Sequence, residues 1–494
     1  MLSMHAIHPT QTWPLWNTEA SRQIERLALH GLPEHTLMQR AGLAVARLAL
    51  AVAPHARTIW VACGPGNNGG DGLEAALHLH RGGKTVWVTW LGDAQTAPAD
   101  TRAALARAQQ AGVVLQAEPP DALATTDLAI DALLGLGSTR APAGQMAQWI
   151  QRMNAGPAPV LAVDVPTGLH ADTGALLAST PDTAVRAHHT LCLLGLKPGL
   201  FTGQGRDAAG QVWLDMLGID TQHAPSAWLA GPPPSTARAH ASHKGSFGDV
   251  VVLGGASGMT GAALLAGSAA LHGGAGRVFV GLLEEKANTH ALTHALVASQ
   301  PELMLRAPET LDLAGAAVVC GCGGGEAVQA VLPRVLAQST RLVLDADALN
   351  ALAVDPALQG GLRQRAADQR ATALTPHPLE AARLLGCSTA QVQGDRFHAA
   401  RALAERFHCT VVLKGSGSVI ATPGQPPVVN PTGNARLATA GTGDVLAGML
   451  GALLAHGLPA HQAAQQAVWR HGLLADTWPP TQVLTASGLA RHGV

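Results

Sequence analysis

The chain has 494 residues, 47% of them hydrophobic, with 56 glycines and 31 prolines, which exceeds the needs of one small core and describes a globular protein rich in Gly turns rather than a disordered one. Thirty-two Lys plus Arg against 33 Asp plus Glu leave a formal charge of -1, so no basic field draws nucleic acid or an anionic membrane. Six scattered cysteines exclude a dense disulfide framework and suit a reducing compartment; the one close pair, Cys320 and Cys322, lacks a second pair or a nearby His at ligand spacing, so no metal site is expected there.

The start, MLSMHAIHPTQTWPLW, lacks the basic head and apolar run of a signal peptide, and later apolar runs are too short or too broken by Gly to span a membrane. A soluble cytoplasmic protein is the expectation. A helical pattern covers 19–50 with a break at 31–33. Strand candidates follow at 58–63, 85–91, 128–134, 159–165 and 189–195, most ending in Gly or Asp and alternating with helical stretches. That alternation predicts a parallel sheet covered on both faces. The Pro-, Ser- and Ala-rich stretch 223–243 can separate two folding units. Beyond it the pattern restarts: strand candidates at 249–255 and 276–282, a helix at 260–272, four more strand candidates up to residue 415, and helices at 443–456 and 459–476. The boundaries drawn are 1–220 for a first domain, 221–239 for a linker and 240–494 for a second domain, in an α/β protein overall. With no tyrosine and 5 phenylalanines, Ala, Leu and Val must fill both cores.

In the first half, Gly64, Gly66 and Gly69 make a G-x-G-x-x-G pattern directly after a strand, a weak dinucleotide signal by itself. Asn67, Asn68, Gly70 and Asp71 make this loop unusually polar, with N–H groups free to face an anion. The plainer alternative is a polar turn that caps a helix. Asp131 and Asp164 end apolar runs, and ligands of open α/β sheets sit outside the carboxyl ends of the strands. The two acids and the Asn68 amide can therefore meet, and oxygens from Asn, Asp and Thr suit a hard cation. Asp164 could instead simply cap the turn through Thr167 and Gly168. Gly135, Gly137 and Arg140 offer close backbone approach and a phosphate contact.

Together GNNGGDG, DALLGLG, DVPTG and GLKPG resemble the NAD(P)H-hydrate epimerase family over about residues 15 to 218. The resemblance implies a Rossmann-like three-layer domain. Asn67, Asn68, Gly69, Gly70 and Asp71 would then contact the hydrated cofactor, while Gly135, Leu136, Gly137, Ser138, Thr139, Arg140 and Ala141 would approach its phosphates. Asp164 would handle protons, and Asn68, Asp131 and Thr167 would correspond to potassium-binding positions. The family commonly reads DIPSG where this chain reads DVPTG, and Thr167 keeps the hydroxyl.

In the second half, LTPHP sets His377 between two prolines, and LKGSGSV at 413–419 offers a lysine with Gly and Ser to a phosphate. GNARLATAGTGDVLAGML at 433–450 is more informative: Gly441 and Gly443 bend the chain, Thr442 caps the next helix, and the helix start is an anion cradle. Asp444 in its first turn is a favourable helix acid in the plain reading. In the functional one it orients and deprotonates a hydroxyl that attacks a phosphate. No GxxxxGK[ST] motif is present, which excludes a P-loop NTPase.

The TAGTGD loop with its upstream lysine resembles the ribokinase-like fold. HKGSFGDVVVLGGASGMTGAALLA, GCGGG, LDADALN, TPHP and TAGTGD occur in the order of one of its branches, the ADP-dependent NAD(P)H-hydrate dehydratases, over about residues 240 to 490. The resemblance implies that Ala262, Gly323, His377 and Asp444 line the hydrated-cofactor site. Lys414, Gly415, Ser416, Gly417, Ser418 and Gly443 would bind the adenine nucleotide. Leu379 stands where Gly is usual and Met259 where Tyr is common. The expected activity is repair of hydrated NADH and NADPH with ADP as phosphoryl donor, Mg²⁺ at the dehydratase site and K⁺ at the epimerase site. A small-molecule kinase with a noncatalytic N-terminal binding or assembly module is the alternative. Apolar helix faces fit either a domain core or a second copy of the chain in a homo-oligomer.

Overall fold

A computed structural model describes residues 4–178, 181–234, 240–283 and 300–492. The chain forms two compact units, residues 1–8 with 13–228 and residues 9–12 with 229–494. Inside the stretch expected as a linker, Ala227–Leu229 is a strand, and residues 235–239 lie outside the described residues. No helix among the described residues is long and apolar enough to cross a membrane.

The first unit is built on strands β1 (Met4–Ala6), β2 (Thr58–Cys63), β3 (Thr85–Trp90), β4 (Leu115–Gln116), β5 (Leu128–Ala132), β6 (Val160–Val163), β7 (His189–Leu193) and β8 (Gln211–Asp215), in the spatial order β1-β8-β7-β6-β5-β2-β3-β4. Only β1 runs antiparallel to its neighbour. The central strands are buried on both faces, as their unbroken apolar runs require. Helices α1 (Thr18–Leu29) and α2 (Thr36–Val52) precede β2, and the gap between them, 30–35, contains the break predicted at 31–33. α3 (Asn67–Arg81), α4 (Ala99–Gln110) and α5 (Gln145–Ala155) follow β2, β3 and β5. The chain leaves β2 toward β3 and β4, then returns to the other side of β2 with β5. The switch point thus lies between β2 and β5, where Gly64 N–H donates to the Ala132 carbonyl at 2.9 Å.

The second unit carries β9 (Asp249–Gly254), β10 (Arg277–Leu282), β11 (Leu303–Leu305), β12 (Ala317–Cys320), β13 (Arg341–Leu344), β14 (Ala371–Leu374), β15 (Thr410–Leu413), β16 (Val419–Ala421) and β17 (Val428–Val429). Their order is β11-β10-β9-β12-β13-β14-β15-β16-β17, parallel up to β15 and antiparallel beyond. Here the switch point lies between β9 and β12, closed by Gly255 N–H to the Cys322 carbonyl at 2.9 Å.

Helix α6 (Thr260–His272) leaves the β9 end and packs on α7 (Thr442–Ala455). Eleven consecutive residues of α7, Val445 to Ala455, are buried, so it is a central helix rather than an amphipathic surface one. A Cβ at Gly448 would run into the Ala266 carbonyl, so this glycine sets how closely α6 and α7 approach. Helix α8 (Ala460–Asp476) follows, and its buried His471 donates from Nε2 to the Thr442 carbonyl at 2.9 Å, tying it to the start of α7.

Candidate functional site

The polar loop after β2 is a helix start. α3 begins at Asn67, so Asn67 to Asp71 form its first turn, with Gly70 N–H donating to the Gly66 carbonyl at 3.2 Å. Small residues are obligatory here: a Cβ at Gly69 would strike the Gly64 carbonyl, and one at Gly70 would lie 2.7 Å from Met38. Across the switch point, residues 133–143 follow β5. Gly137 takes φ +91°, open to glycine at low cost, beside the Arg22 guanidinium. The two segments line a cleft of about 670 Å³, large enough for a substantial part of a dinucleotide. Asn67, Asn68, Asp71, all of Gly135 to Ala141, and Asp164 are on its wall, whereas Gly69, Gly70, Asp131 and Thr167 stand behind it.

Asp164 sits just past β6 with φ +65°, a left-handed conformation that short polar side chains tolerate best. Its carboxylate is ion-paired with Lys197, which is 1% exposed and also donates to the Leu193 carbonyl at 2.8 Å. Leu136 N–H approaches the other carboxylate oxygen at 3.3 Å, joining Asp164 to the glycine-rich segment. Lys197 stands inside GLKPG, but only the fold reveals that it reaches Asp164. Glu25 of α1 and Asp71 also face the cleft, and burial pushes both carboxyls up, with Asp164 adding to the rise.

Behind the wall, Asp131 is fully buried and accepts from Thr167 N–H at 2.8 Å, Thr167 Oγ1 at 2.7 Å and Leu133 N–H at 3.2 Å. Burial pushes its carboxyl up to about 6, against these hydrogen bonds. The buried Asn68 side-chain nitrogen has no hydrogen-bond partner. Turning the amide over would present its oxygen instead, which a cation would satisfy. Asn68, Asp131 and Thr167 thus offer an all-oxygen donor set that fits a hard monovalent ion.

In the second unit, Gly323 (φ +57°) follows β12, and a Cβ there would lie 2.9 Å from that of Ala262 on α6, so these two expected substrate residues are neighbours. Met259, 42% exposed, lies against Gly323 and Gly325. His377 caps the helix Pro378–Leu385: its Nδ1 accepts from Leu379 and Glu380 N–H at 3.1 and 3.2 Å, while Glu380 accepts from His377 N–H at 2.7 Å. Leu379 is 45% exposed beside it.

Lys414, at the end of β15, donates to Asp345 at 2.7 Å and approaches Glu380 at 4.0 Å. Burial lowers its pKa, but Asp345 and Glu380 outweigh that and raise it. A Cβ at Gly443 would be 3.3 Å from Lys414 Nζ, which places the lysine loop beside the start of α7. The loop rests on Arg396, 1% exposed, whose guanidinium donates to the Leu413 and Lys414 carbonyls, both at 3.1 Å. Gly415 and Gly417 take φ +136° and +61°, and Ser418 Oγ donates to the Gly415 carbonyl at 3.2 Å.

Asp444 is in the first turn of α7, after Gly441 at φ +90°. Burial pushes its carboxyl up to about 6, and neighbouring Asp345 adds to the rise. Glu380 goes up to about 7 for the same first reason. A carboxylate near neutrality at a helix N-terminus beside a lysine is equipped to take a proton from a hydroxyl as phosphate is transferred. Asp345 was embedded in LDADALN and Cys322 in GCGGG. Neither the close pair Cys320 and Cys322 nor LDADALN points to Asp444 in the sequence, because β13, β12 and α7 come together only in three dimensions.

The family model for NAD(P)H-hydrate dehydratase matches residues 250–491, and that for the YjeF-related protein N-terminus matches residues 34–199. The bifunctional NAD(P)H-hydrate repair enzyme Nnr of Escherichia coli is 38% identical over 487 residues, spanning 94% of this chain and 89% of its own length. The chain belongs to the bifunctional NAD(P)H-hydrate repair enzymes. Its first unit is Rossmann-like and its second ribokinase-like. The second half is also 45% identical, over 268 residues, to the ADP-dependent (S)-NAD(P)H-hydrate dehydratase of Neisseria meningitidis, covering 53% of this chain and 88% of that protein. Among solved structures, the ADP/ATP-dependent NAD(P)H-hydrate dehydratase of Bacillus subtilis is 31% identical and covers 51% of this chain and 90% of its own, with a TM-score of 0.44.

Proposed function

We propose that this bifunctional repair enzyme, an isomerase and lyase acting on hydrated NADH and NADPH, assigns epimerisation to the Asp164–Lys197 cleft and ADP-dependent dehydration of the S form to the Asp444 site. What supports the division most is that each unit has its own acid beyond its parallel strands, Asp164 paired with Lys197 and Asp444 raised by burial, within a family of bifunctional enzymes.

Carbon 6 of the hydrated ring carries both a hydroxyl and the ring nitrogen, so it is a hemiaminal carbon. Asp164 takes the hydroxyl proton, the C6–N bond breaks with its electron pair going to nitrogen, and nitrogen receives a proton from Lys197. Closure on the opposite face of the resulting aldehyde, with the proton transfers reversed, gives the other epimer. The backbone of Gly135 to Ala141 and the start of α3 hold phosphates, and Arg140 with Arg22 adds charge at the rim. A bound K⁺ would be held by Asn68, Asp131 and Thr167 and would supply fixed positive charge beneath the glycine-rich turn.

In the second unit Asp444 accepts the C6 hydroxyl proton as that oxygen bonds to the terminal phosphorus of ADP, and AMP departs. The ring nitrogen's lone pair then expels phosphate from C6, and loss of a proton from C5 restores the double bond. Lys414 and the loop to Ser418, with Gly443, hold the nucleotide, while Ala262, Gly323 and His377 line the hydrate pocket. Mg²⁺, when bound, supplies charge neutralisation on the transferring phosphate, and Asp345 offers it carboxylate oxygen.

Separately prepared R and S hydrates of NADH, mixed with the protein, ADP, Mg²⁺ and K⁺, test this reading. NADH should be recovered from both. Recovery from S but never from R would remove the epimerase assignment, and a stable phosphorylated product without NADH would favour a kinase.

A further inference from the structure

Cys322, Asp345 and Asp444 each offer one ligand atom, and the three atoms lie within 4.8 Å of one another. They come from three separate elements: the turn after β12, the end of β13 and the first turn of α7. Cys322 and Asp345 are essentially inaccessible, while Asp444 is half-buried at the open side. Its neighbour in sequence, Cys320, is a strand residue and takes no part, so this is not a Cys-x-Cys chelate.

We infer that Cys322, Asp345 and Asp444 form a binding site for a thiophilic divalent cation such as Zn²⁺, which switches off dehydration by capturing Asp444. A sulfur and two carboxylate oxygens supply three of the four positions that zinc takes, leaving one for water or a substrate hydroxyl. Mg²⁺ would take the oxygens and decline the sulfur, so the thiol distinguishes the two ions. Lys414 occupies Oδ1 of Asp345, and Oδ2 is the Asp345 atom nearest to Gly443, on the side of α7. The second carboxylate oxygen is therefore placed to bind while the lysine stays. Cys322 is held in position by its own carbonyl, which accepts from Gly255 N–H at 2.9 Å, so little rearrangement is needed on that side.

The metal site stands on this geometry alone, whereas its inhibitory effect rests on the proposed role of Asp444. Co²⁺ serves as the spectroscopic probe. Added to the full-length protein without nucleotide, one equivalent should give a sulfur-to-cobalt charge-transfer band in the near ultraviolet, absent in Cys322→Ser and weakened in Asp345→Asn. Histidine-bound cobalt gives no such band. Zn²⁺ should inhibit S-hydrate dehydration reversibly, with a chelator restoring it, and Cys322→Ser should raise the half-inhibiting concentration at least about tenfold. R-to-S conversion by the same sample should continue.

No thiolate band in the wild type, or a band that persists in Cys322→Ser, overturns the site; equal zinc sensitivity of the two proteins overturns the inhibition. Should the serine disturb folding, Cys322→Ala must give the same loss of band. A wild type that binds cobalt through sulfur but never dehydrates would keep the site and sink the functional reading instead.

Discussion

Asp164 and Asp444 are both acids at the mouth of a parallel sheet, yet they are held in opposite ways. Asp164 ends a strand in a left-handed backbone conformation and is paired directly with a buried lysine. Asp444 starts a helix, keeps ordinary helical geometry, and faces a second acid and a thiol, with its nearest lysine bonded to Asp345 instead. The first arrangement sets a carboxylate and an ammonium side by side, which suits the ring opening and reclosure proposed for it. The second has a carboxyl pushed up to about 6 by burial with no lysine paired to it directly, which suits the single deprotonation proposed for phosphate transfer.

The largest effect should come from Asp444→Asn, with dehydration falling by about 10²- to 10⁴-fold. Isothermal titration should show ADP still bound, and R-to-S conversion should be unchanged. Lys197→Met should lower R-to-S conversion by a comparable factor, read by chromatography of the two epimers, while dehydration of pure S hydrate proceeds at the parental rate. If either variant disabled both reactions, the two acids could not be independent. pH separates the sites more finely. Asp444 must be ionised to accept a proton and its carboxyl is raised to about 6, so dehydration should fall on acidification through about pH 6, approaching tenfold per unit in a pH–rate profile. A flat profile from pH 5 to 8 would remove the base role.

Stability gives a smaller contrast. Gly448→Ala pushes a methyl into the Ala266 carbonyl and should destabilise the second unit by about 1–3 kcal/mol, lowering the temperature at which dehydration is lost before that for epimerisation. Gly360→Ala, in the helix Pro356–Ala367 with nothing near its Cβ, should instead add about 0.5–1 kcal/mol in calorimetry.

The central strands were legible because a strand covered on both faces must be an apolar run, and most such runs here are followed closely by Gly or Asp. α6 begins and ends where its small-residue run does, at Thr260 and His272. Short pieces such as Met4–Ala6 and the hairpin partner Val428–Val429 carry too few residues to show alternation and owe their existence to the strands beside them. Site residues divide along the same line. Asn68, Asp164 and Asp444 announce themselves through the glycines around them. Lys197, Asp345, Arg396 and Cys322 do not, since their meaning lies in partners 17 or more residues away, and chain order says nothing of where those partners will stand.

The backbone at Asp164 also limits how its chemistry can be probed. With φ at +65°, alanine or a β-branched residue there would add conformational strain to the loss of the carboxylate, and a dead enzyme would report both at once. Asparagine is nearly isosteric and shares the tolerance for that conformation. Any survey of substitutions at 164 therefore has a built-in ruler: Asp to Asn measures the charge, Asn to Ala measures the shape, and only the first bears on catalysis.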